Sequence, residues 1–542
     1  MKKLFALLVT LLLAAFALPQ AQRTASPDIR LVLLIAVDQF RYDYLTRFRG
    51  EYSSGLARLL TAGAVFTNAN LEHYPTVTAI GHSTMLSGAT PSVSGIIGND
   101  WFDRESGATV TSVSDPTVST VGSTTAAAAA SPRRLLVSTI GDELKMSSHQ
   151  PRGSAGAPAV FGVSLKDRSA ILPVGRGADA AYWWDTKSGR FVTSTYYVTA
   201  PPGWVQTFND RRTADAHAGQ SWVALAPPSL GLKKFPIERG PDLYEAVYGS
   251  PFGNDELLAF ATELLRHESI GTRGATDVLS VSFSSNDSVG HTFGPDSPQV
   301  RDIALRTDRT IGQLLAEVDR LVGLSHVIVA LTADHGVAPL PETLQRQGLP
   351  AGRMTTKDLF DPIQHTLAAR YGEGKWLMAG AGSSPYLNDE LIGSLRLDPA
   401  EVRRVAAAAA QKVPHVARVY TRDQLLSGQV PDDRIGRRVL RGFNARRSGD
   451  LEIILEPYWM RQAEGTTHGT PYNYDAHIPL ILMGPRIRAG EYSADVALND
   501  LAPTLATLLG VEIPAGSVGR VLTEAILPRP ANGAGRLPRK PE

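Results

Sequence analysis

The chain has 542 residues, with 54 basic and 53 acidic side chains and a formal charge of +1. That balance gives no global positive field, so no nucleic acid is expected as a stable partner. There are no cysteines, which excludes disulfides and thiol chemistry and leaves nitrogen and oxygen ligands for any metal.

Lys2 and Lys3 precede an apolar run over residues 4–18, then Pro19, Gln20 and Ala21. This is a signal-peptide pattern, with cleavage expected after Ala17 or Ala21. The run is short for a bilayer span, and no cysteine follows to carry a lipid. The expectation is a periplasmic or secreted protein with no membrane contact after cleavage, a monomer rather than an oligomer. Residues 31–37 are continuously apolar and end at Asp38, as a buried parallel strand does before a carboxylate. Residues 53–63 form an amphipathic helix pattern. Next, Thr78 stands after Pro75 and before Gly81, where a helix carrying Met85 and Leu86 begins. A hydroxyl there sits among unpaired N–H groups and suits phosphate, although Thr76 or Thr78 also reads as a simple cap. His73 and Tyr74 are expected in a pocket wall. His82, one turn past Thr78, is expected to be structural. Asn99 follows the turn Gly95-Ile96-Ile97-Gly98 and reads either as a turn residue or as an amide donor to an oxyanion.

Residues 126–130 read as a loop leading into a helix over 132–146. The apolar run 160–163 precedes Lys166 and Arg168, which an extended segment places on one side. Residues 181–198 read as a hairpin bearing Trp183 and Trp184, within an insertion near 165–250 expected to cap the site. Helices are expected over 254–268 and 297–323. The run from Asp277 reaches Asp287 and His291, four apart and so on one helix face. Residues 327–331 are apolar and run into Asp334 and His335, a pair that reads as a turn or as metal ligands. A second insertion is expected near 340–465, with a helix over 399–413 and strands over 414–421 and 450–457. His468 lies in a Gly-, Thr- and Pro-rich loop before the run 478–483. Asp475 and His477 there are expected to orient ligands. Residues 526–542 read as a disordered tail. The alternation of apolar runs and helical patterns gives an α/β class, a doubly wound, mostly parallel sheet flanked by helices. One catalytic domain is expected over 28–525.

Three carboxylates and three imidazoles, Asp38, Asp287, His291, Asp334, His335 and His468, form a set suited to two zinc ions. With Thr78, Asn99, Lys166 and Arg168, in this order along the chain, the residues resemble the alkaline phosphatase superfamily. More narrowly, they resemble the bacterial phosphate-irrepressible alkaline phosphatases, which use a threonine nucleophile and a Lys-x-Arg pair. The resemblance spans roughly residues 30–515. It implies a two-zinc phosphomonoesterase acting on small phosphate monoesters through a phosphothreonine. It also implies that Asp38, Thr78, Asp334 and His335 surround one zinc, and Asp287, His291 and His468 the other. Asn99, Lys166 and Arg168 would then hold the phosphoryl oxygens. The absence of cysteine speaks against a sulfatase. A nucleotide pyrophosphatase/phosphodiesterase with the same ligands is the alternative enzyme. A protein that binds metal without catalysis is the alternative outside enzymes.

Overall fold

The computed structural model describes residues 28–528, except 124–128, 149, 151–152, 155, 226–229 and 383. The expected signal segment, most of the 126–130 lead-in and residues 529–542 of the expected tail lie outside the described residues.

The centre is a ten-stranded sheet. Its strands are β1 (Leu31–Val37), β2 (Ala64–Phe66), β3 (Thr120–Val121), β4 (Val160–Ser164), β5 (Ala180–Asp185), β6 (Arg190–Ser194), β7 (Asp277–Phe283) and β8 (Val327–Thr332). Two more follow the second insertion, β11 (Leu480–Met483) and β12 (Gly490–Tyr492), while β9 (Val416–Thr421) and β10 (Leu451–Leu455) pair outside this sheet. The order across it is β12-β2-β11-β8-β1-β7-β4-β5-β6-β3. The run β8-β1-β7-β4-β5 is parallel throughout, and antiparallel strands close both sides. Every residue of β1, β7 and β8 is buried. Continuous apolar strands of this kind need cover on both faces, which is why they carry no polar alternation.

Register brings the strand ends together. Val37 pairs with Phe283, Ala36 with Thr332, and Ser282 with Ser164. Asp38, Lys166, Asp287 and Asp334 therefore all follow strands that stop at one edge. Open α/β sheets carry their chemistry at that carboxyl edge.

The helices that matter here are α1 (Gly55–Ala62), α2 (Thr78–Met85), α3 (Ile140–Ser148), α4 (Asp167–Ile171), α5 (Pro251–His267), α6 (Ser285–Phe293), α7 (Pro298–Leu321), α8 (Thr356–Tyr371) and α9 (Pro399–Ala410). The expected helix over 132–146 is broken. A short 3-10 turn spans Pro132–Arg134, and α3 starts only at Ile140. Ser131 caps that turn by accepting from the Arg133 N–H, so the local capping chemistry ends the first piece early.

The 181–198 hairpin exists as β5 and β6, but it is not a cap. β5 pairs in parallel with β4 and extends the main sheet. Trp183 and Trp184 are buried in the central core, so their size serves packing. The second insertion has a separate core, which includes Leu359 and Ile363 of α8, Val402 of α9 and Ile453 of β10. A small apolar cluster including Tyr74, Phe443 and Ile454 joins it to the catalytic side. At the far end, Ile526 bridges Ile487 and the Leu527 N–H donates to the Arg486 carbonyl. The packed chain thus runs past the expected start of the tail.

Candidate metal centre and phosphoryl site

The sequence places Asp38 at the end of β1, and the structure surrounds it with the other candidates. Lys166 Nζ lies 2.6 Å from Asp38 Oδ2 and 2.6 Å from Asp287 Oδ2. His335 Nε2 lies 3.6 Å from Asp38 Oδ1 and 3.4 Å from Asp334 Oδ2. The i, i+4 pair falls on α6, with His291 Nε2 3.1 Å from Asp287 Oδ1. His468 Nε2 is 3.7 Å from the same oxygen, and its ring stacks on His335 at 3.5 Å.

Two sets have ligand atoms within 4.8 Å of one another, Asp38/Asp334/His335 and Asp287/His335/His468. The first brings together three of the four residues expected around one zinc, Thr78 being the fourth. The second contains His335 where His291 was expected, while His291 touches the same Asp287 carboxylate from the other side.

The donor chemistry fits metal ions. The Nδ1 atoms of His291, His335 and His468 face backbone carbonyls of Thr466, Gly336 and Thr76 at 2.7, 3.0 and 2.8 Å. That arrangement fixes the proton on Nδ1 and leaves each Nε2 lone pair directed at the carboxylates. Asp38 Oδ1 and Asp334 Oδ2 are buried, and the groups facing them are imidazoles: His335 faces both and His82 faces Asp334. Buried carboxylate oxygens with so few donors are costly unless a cation joins them.

The electrostatics agree. Burial pushes the Asp38 carboxyl up, and neighbouring Asp334 pushes it further, although Lys166 opposes both. Burial also acts upward on Asp287 and Asp334, but the imidazoles His291 and His335 beside them hold both well below the usual range. Burial alone would lower Lys166, yet Asp287 and Asp38 more than offset it and raise it. Burial lowers His335 and His468, whereas His291, although burial lowers it, is raised overall by Asp287 beside it.

Thr78 is the first residue of α2, and Val77 holds the cap position without a side-chain cap. The Thr78 hydroxyl does not cap the helix. It lies 3.3 Å from His335 Nε2. Thr76, the other candidate, donates to the Thr470 carbonyl. Asn99 Oδ1 accepts from the Ala79 N–H at 2.9 Å, so its amide is tied to the same helix start and its Nδ2 is left to donate elsewhere. His82 is structural as expected, between the Thr78 carbonyl and Ser282 Oγ, and it also touches Asp334 at 3.2 Å.

Lys166 and Arg168 reach this region, but not by extended alternation. Lys166 is extended, and helix α4 begins immediately after it, so Arg168 sits in the first helical turn. Burial lowers Arg168, and Asp167 and Tyr248 raise it, with Asp38 and Asp287 adding to that. His73 is fully buried, whereas Tyr74 lines the cavity that also touches Asn99 and His468. Asp475 holds the loop that carries His468 through Thr470. Its Oδ2 accepts from the N–H and hydroxyl of Thr470, two residues past His468. His477 instead faces the Thr67 carbonyl and stacks on Tyr42.

One residue was not legible. Gln39 donates its side-chain amide to Asp287 Oδ1 at 2.7 Å and its backbone N–H to Asp334 Oδ1 at 3.1 Å. It thus ties one ligand set to the other. Its φ of 61° is rare for a side-chain-bearing residue and such conformers gather at functional sites. The only signal was its position directly after a strand-ending aspartate.

The fold and this ordered set of residues at one sheet edge define a member of the alkaline phosphatase superfamily. Residues 32–475 match the sequence profile of type I phosphodiesterase / nucleotide pyrophosphatase, and the chain belongs to that family. It is 36% identical over 533 residues to alkaline phosphatase PafA of Elizabethkingia meningoseptica, covering 93% of this chain and 96% of the relative. It is 35% identical over 540 residues to a Myroides odoratus protein named calcium-transporting ATPase, covering 94% and 97%. A crystal structure of wild-type alkaline phosphatase PafA superimposes with a TM-score of 0.85 at 34% identity, covering 93% of this chain and all of that one. Among the described residues, no helix is long and apolar enough to cross a membrane.

Proposed function

We propose that this protein is a periplasmic or secreted two-metal phosphomonoesterase, with Thr78 as nucleophile. The observation that carries the reading is the Thr78 hydroxyl at the start of α2, 3.3 Å from the imidazole shared by both ligand sets.

Asp38, Thr78, Asp334 and His335 would hold one ion, and Asp287, His291 and His468 the other. Zinc suits this set, and bound zinc would acidify a hydroxyl or water and neutralise charge on phosphoryl oxygens. The N-terminus of α2 puts the positive end of its dipole beside Thr78. Thr78 Oγ1 attacks phosphorus, the bond to the alcohol oxygen breaks, and a phosphothreonine remains. Water then attacks phosphorus, the bond to Thr78 breaks and phosphate leaves. Asn99 donates to a non-bridging oxygen, and Lys166 and Arg168 offset the dianion. In phosphoryl transfer, positioning and charge of this kind supply most of the catalysis.

The test compares turnover of an aryl phosphate monoester and the matched methyl aryl diester, with acid quenching to trap label on the enzyme. The reading expects monoester preference and phosphate on Thr78, with both lost in Thr78→Ala. Preference for the diester would make the protein a phosphodiesterase, as the family profile's description allows. Label on Thr76 or Ser83 would move the nucleophile.

A further inference from the structure

The helix Arg434–Gly442 belongs to the second insertion, and it reaches back to the catalytic side of the molecule. Its Arg438 is 1% exposed. A charge buried this deeply normally has an opposite charge beside it. Among the described residues, however, the Arg438 guanidinium donates only to uncharged acceptors. Its Nη1 lies 2.5 Å from the Pro471 carbonyl oxygen and its Nη2 lies 3.5 Å from Asn70 Oδ1, while Nε has no acceptor. Burial pushes it down from 12.5 to about 10, so it keeps its charge at neutral pH. An apolar side chain of similar volume in place of a buried charge is often neutral or stabilising. Stability therefore gives no account of a guanidinium here.

What Arg438 holds lies close to the chemistry. Pro471 is three residues past His468, in the same loop. The Arg438 main-chain carbonyl accepts from the Tyr74 N–H at 3.1 Å, and Tyr74 is four residues before Thr78. A Cβ on Gly442 would collide with the Tyr74 carbonyl oxygen, so the last turn of the helix rests directly on this segment. The two loops are also stitched to each other. The Thr76 hydroxyl donates to the Thr470 carbonyl at 2.8 Å, and the Thr76 carbonyl faces His468 Nδ1 at 2.8 Å. One residue of the insertion thus grips the loop bearing His468 with its side chain and the segment entering α2 with its main chain.

We propose that Arg438 is a positioning residue, through which the second insertion sets Thr78 and His468 relative to each other. The kinetic arm of its test rests on the phosphomonoesterase reading above; the metal-binding arm does not.

The experiment compares the unaltered protein with Arg438→Met, which fills a similar volume without charge. Arg437→Ala is the control, since Arg437 pairs with Asp432 at the surface, and it should match the parent throughout. Zinc titration of Arg438→Met should show binding weakened about tenfold or more, the size seen when a group that orients a ligand is lost. With zinc saturating, kcat for an aryl phosphate should fall about tenfold to a hundredfold and KM should change little, because a misplacement of about 1 Å can cost 10²-fold. Arg438→Ala leaves room for a guanidinium ion, and a cavity of about 520 Å³ borders the residue. Guanidinium, added well below the concentrations that unfold the protein, should raise kcat of Arg438→Ala saturably at constant circular dichroism and leave the parent unchanged. Parent-like zinc affinity and kcat in Arg438→Met, with only its urea midpoint altered, overturn the proposal and leave the phosphatase reading intact. If Arg438→Met does not fold, Arg438→Ala decides, and a kcat indifferent to guanidinium overturns the proposal. If the unaltered protein hydrolyses no monoester, the phosphatase reading falls and the zinc titration alone decides on Arg438.

Discussion

Gln39 shows what a single residue contributes to this site. It reaches Asp287 through 248 positions of sequence and Asp334 through 295, and a Cβ on Gly290 would collide with its side-chain oxygen. Partners that orient ligands commonly contribute 10–100-fold to metal affinity. Gln39→Ala should therefore lower metal affinity by about that range while the fold survives, as read by metal titration and circular dichroism. Unchanged affinity would make the αL backbone, not the amide, the feature that matters. Lys166 and Arg168 raise a question of charge. A monoester dianion can offset two buried cations, but a diester carries one charge fewer. The Lys166→Ala/Arg168→Ala protein should lose about two or more powers of ten in monoester kcat/KM, at about 1.5–3 kcal/mol per charge-assisted contact. Diester kcat/KM should fall much less; equal losses would assign the pair a structural role. Asp38, Asp287, His291, Asp334 and His335 were legible as candidate ligands because they follow apolar runs or sit at helical spacing, whereas His468 stood out only as a histidine in a loop before such a run. Gln39 was not legible, because its role comes from a backbone angle and a contact that no local pattern encodes.

Among the elements, α2 is set by a close approach. A Cβ on Gly81 would lie 2.4 Å from the Asp334 carbonyl oxygen and 2.6 Å from its Cα, backbone that cannot turn aside. Gly81→Ala should push α2 from the end of β8 and carry Thr78 and His82 with it. Overpacking of this kind costs about 1–3 kcal/mol, so the urea midpoint should fall. Activity should fall by more than the unfolded fraction explains, measured well below that midpoint. Full activity in a stably folded variant would show that α2 tolerates the shift. The same scale explains several differences from the sequence reading. The alternation expected for Lys166 and Arg168 failed because α4 starts between them, with Asp167 in its first turn. Both side chains still reach the site region, since one helical turn displaces Arg168 only slightly around the strand end. The helix expected over 132–146 failed at a serine-capped turn, which periodicity does not register. The hairpin over 181–198 was legible as a hairpin, but no sequence feature says whether it covers a site or joins a sheet.

At the scale of the molecule, the two insertions have different fates. The first supplies strands to the central sheet, and the second keeps its own core and forms one side of the cavity. Several acids lie buried away from the catalytic edge, and Glu256 on α5 is the clearest. It accepts from the Thr213 hydroxyl at 2.5 Å, and burial raises it from 4.5 to about 7. The folded state therefore keeps this proton longer than the unfolded chain. The stability that results is complete below about pH 4.5 and is lost as pH rises through about 7. That shift corresponds to roughly 3 kcal/mol. Glu256→Gln should gain stability over the parent at pH 9 relative to pH 5, read from urea midpoints at the two values. An unchanged difference would mean that the carboxylate finds water when it ionises. The order of the strands also has a consequence in time. β1 is the first strand of the sheet to be made, and its seven residues are all buried. Its two neighbours, β7 and β8, begin only at Asp277 and Val327. At about 5–20 residues per second, the most apolar strand of the protein waits roughly ten to fifty seconds without either partner. A nascent chain of this topology is expected to draw on a chaperone over that interval, before its earliest strand can find its place.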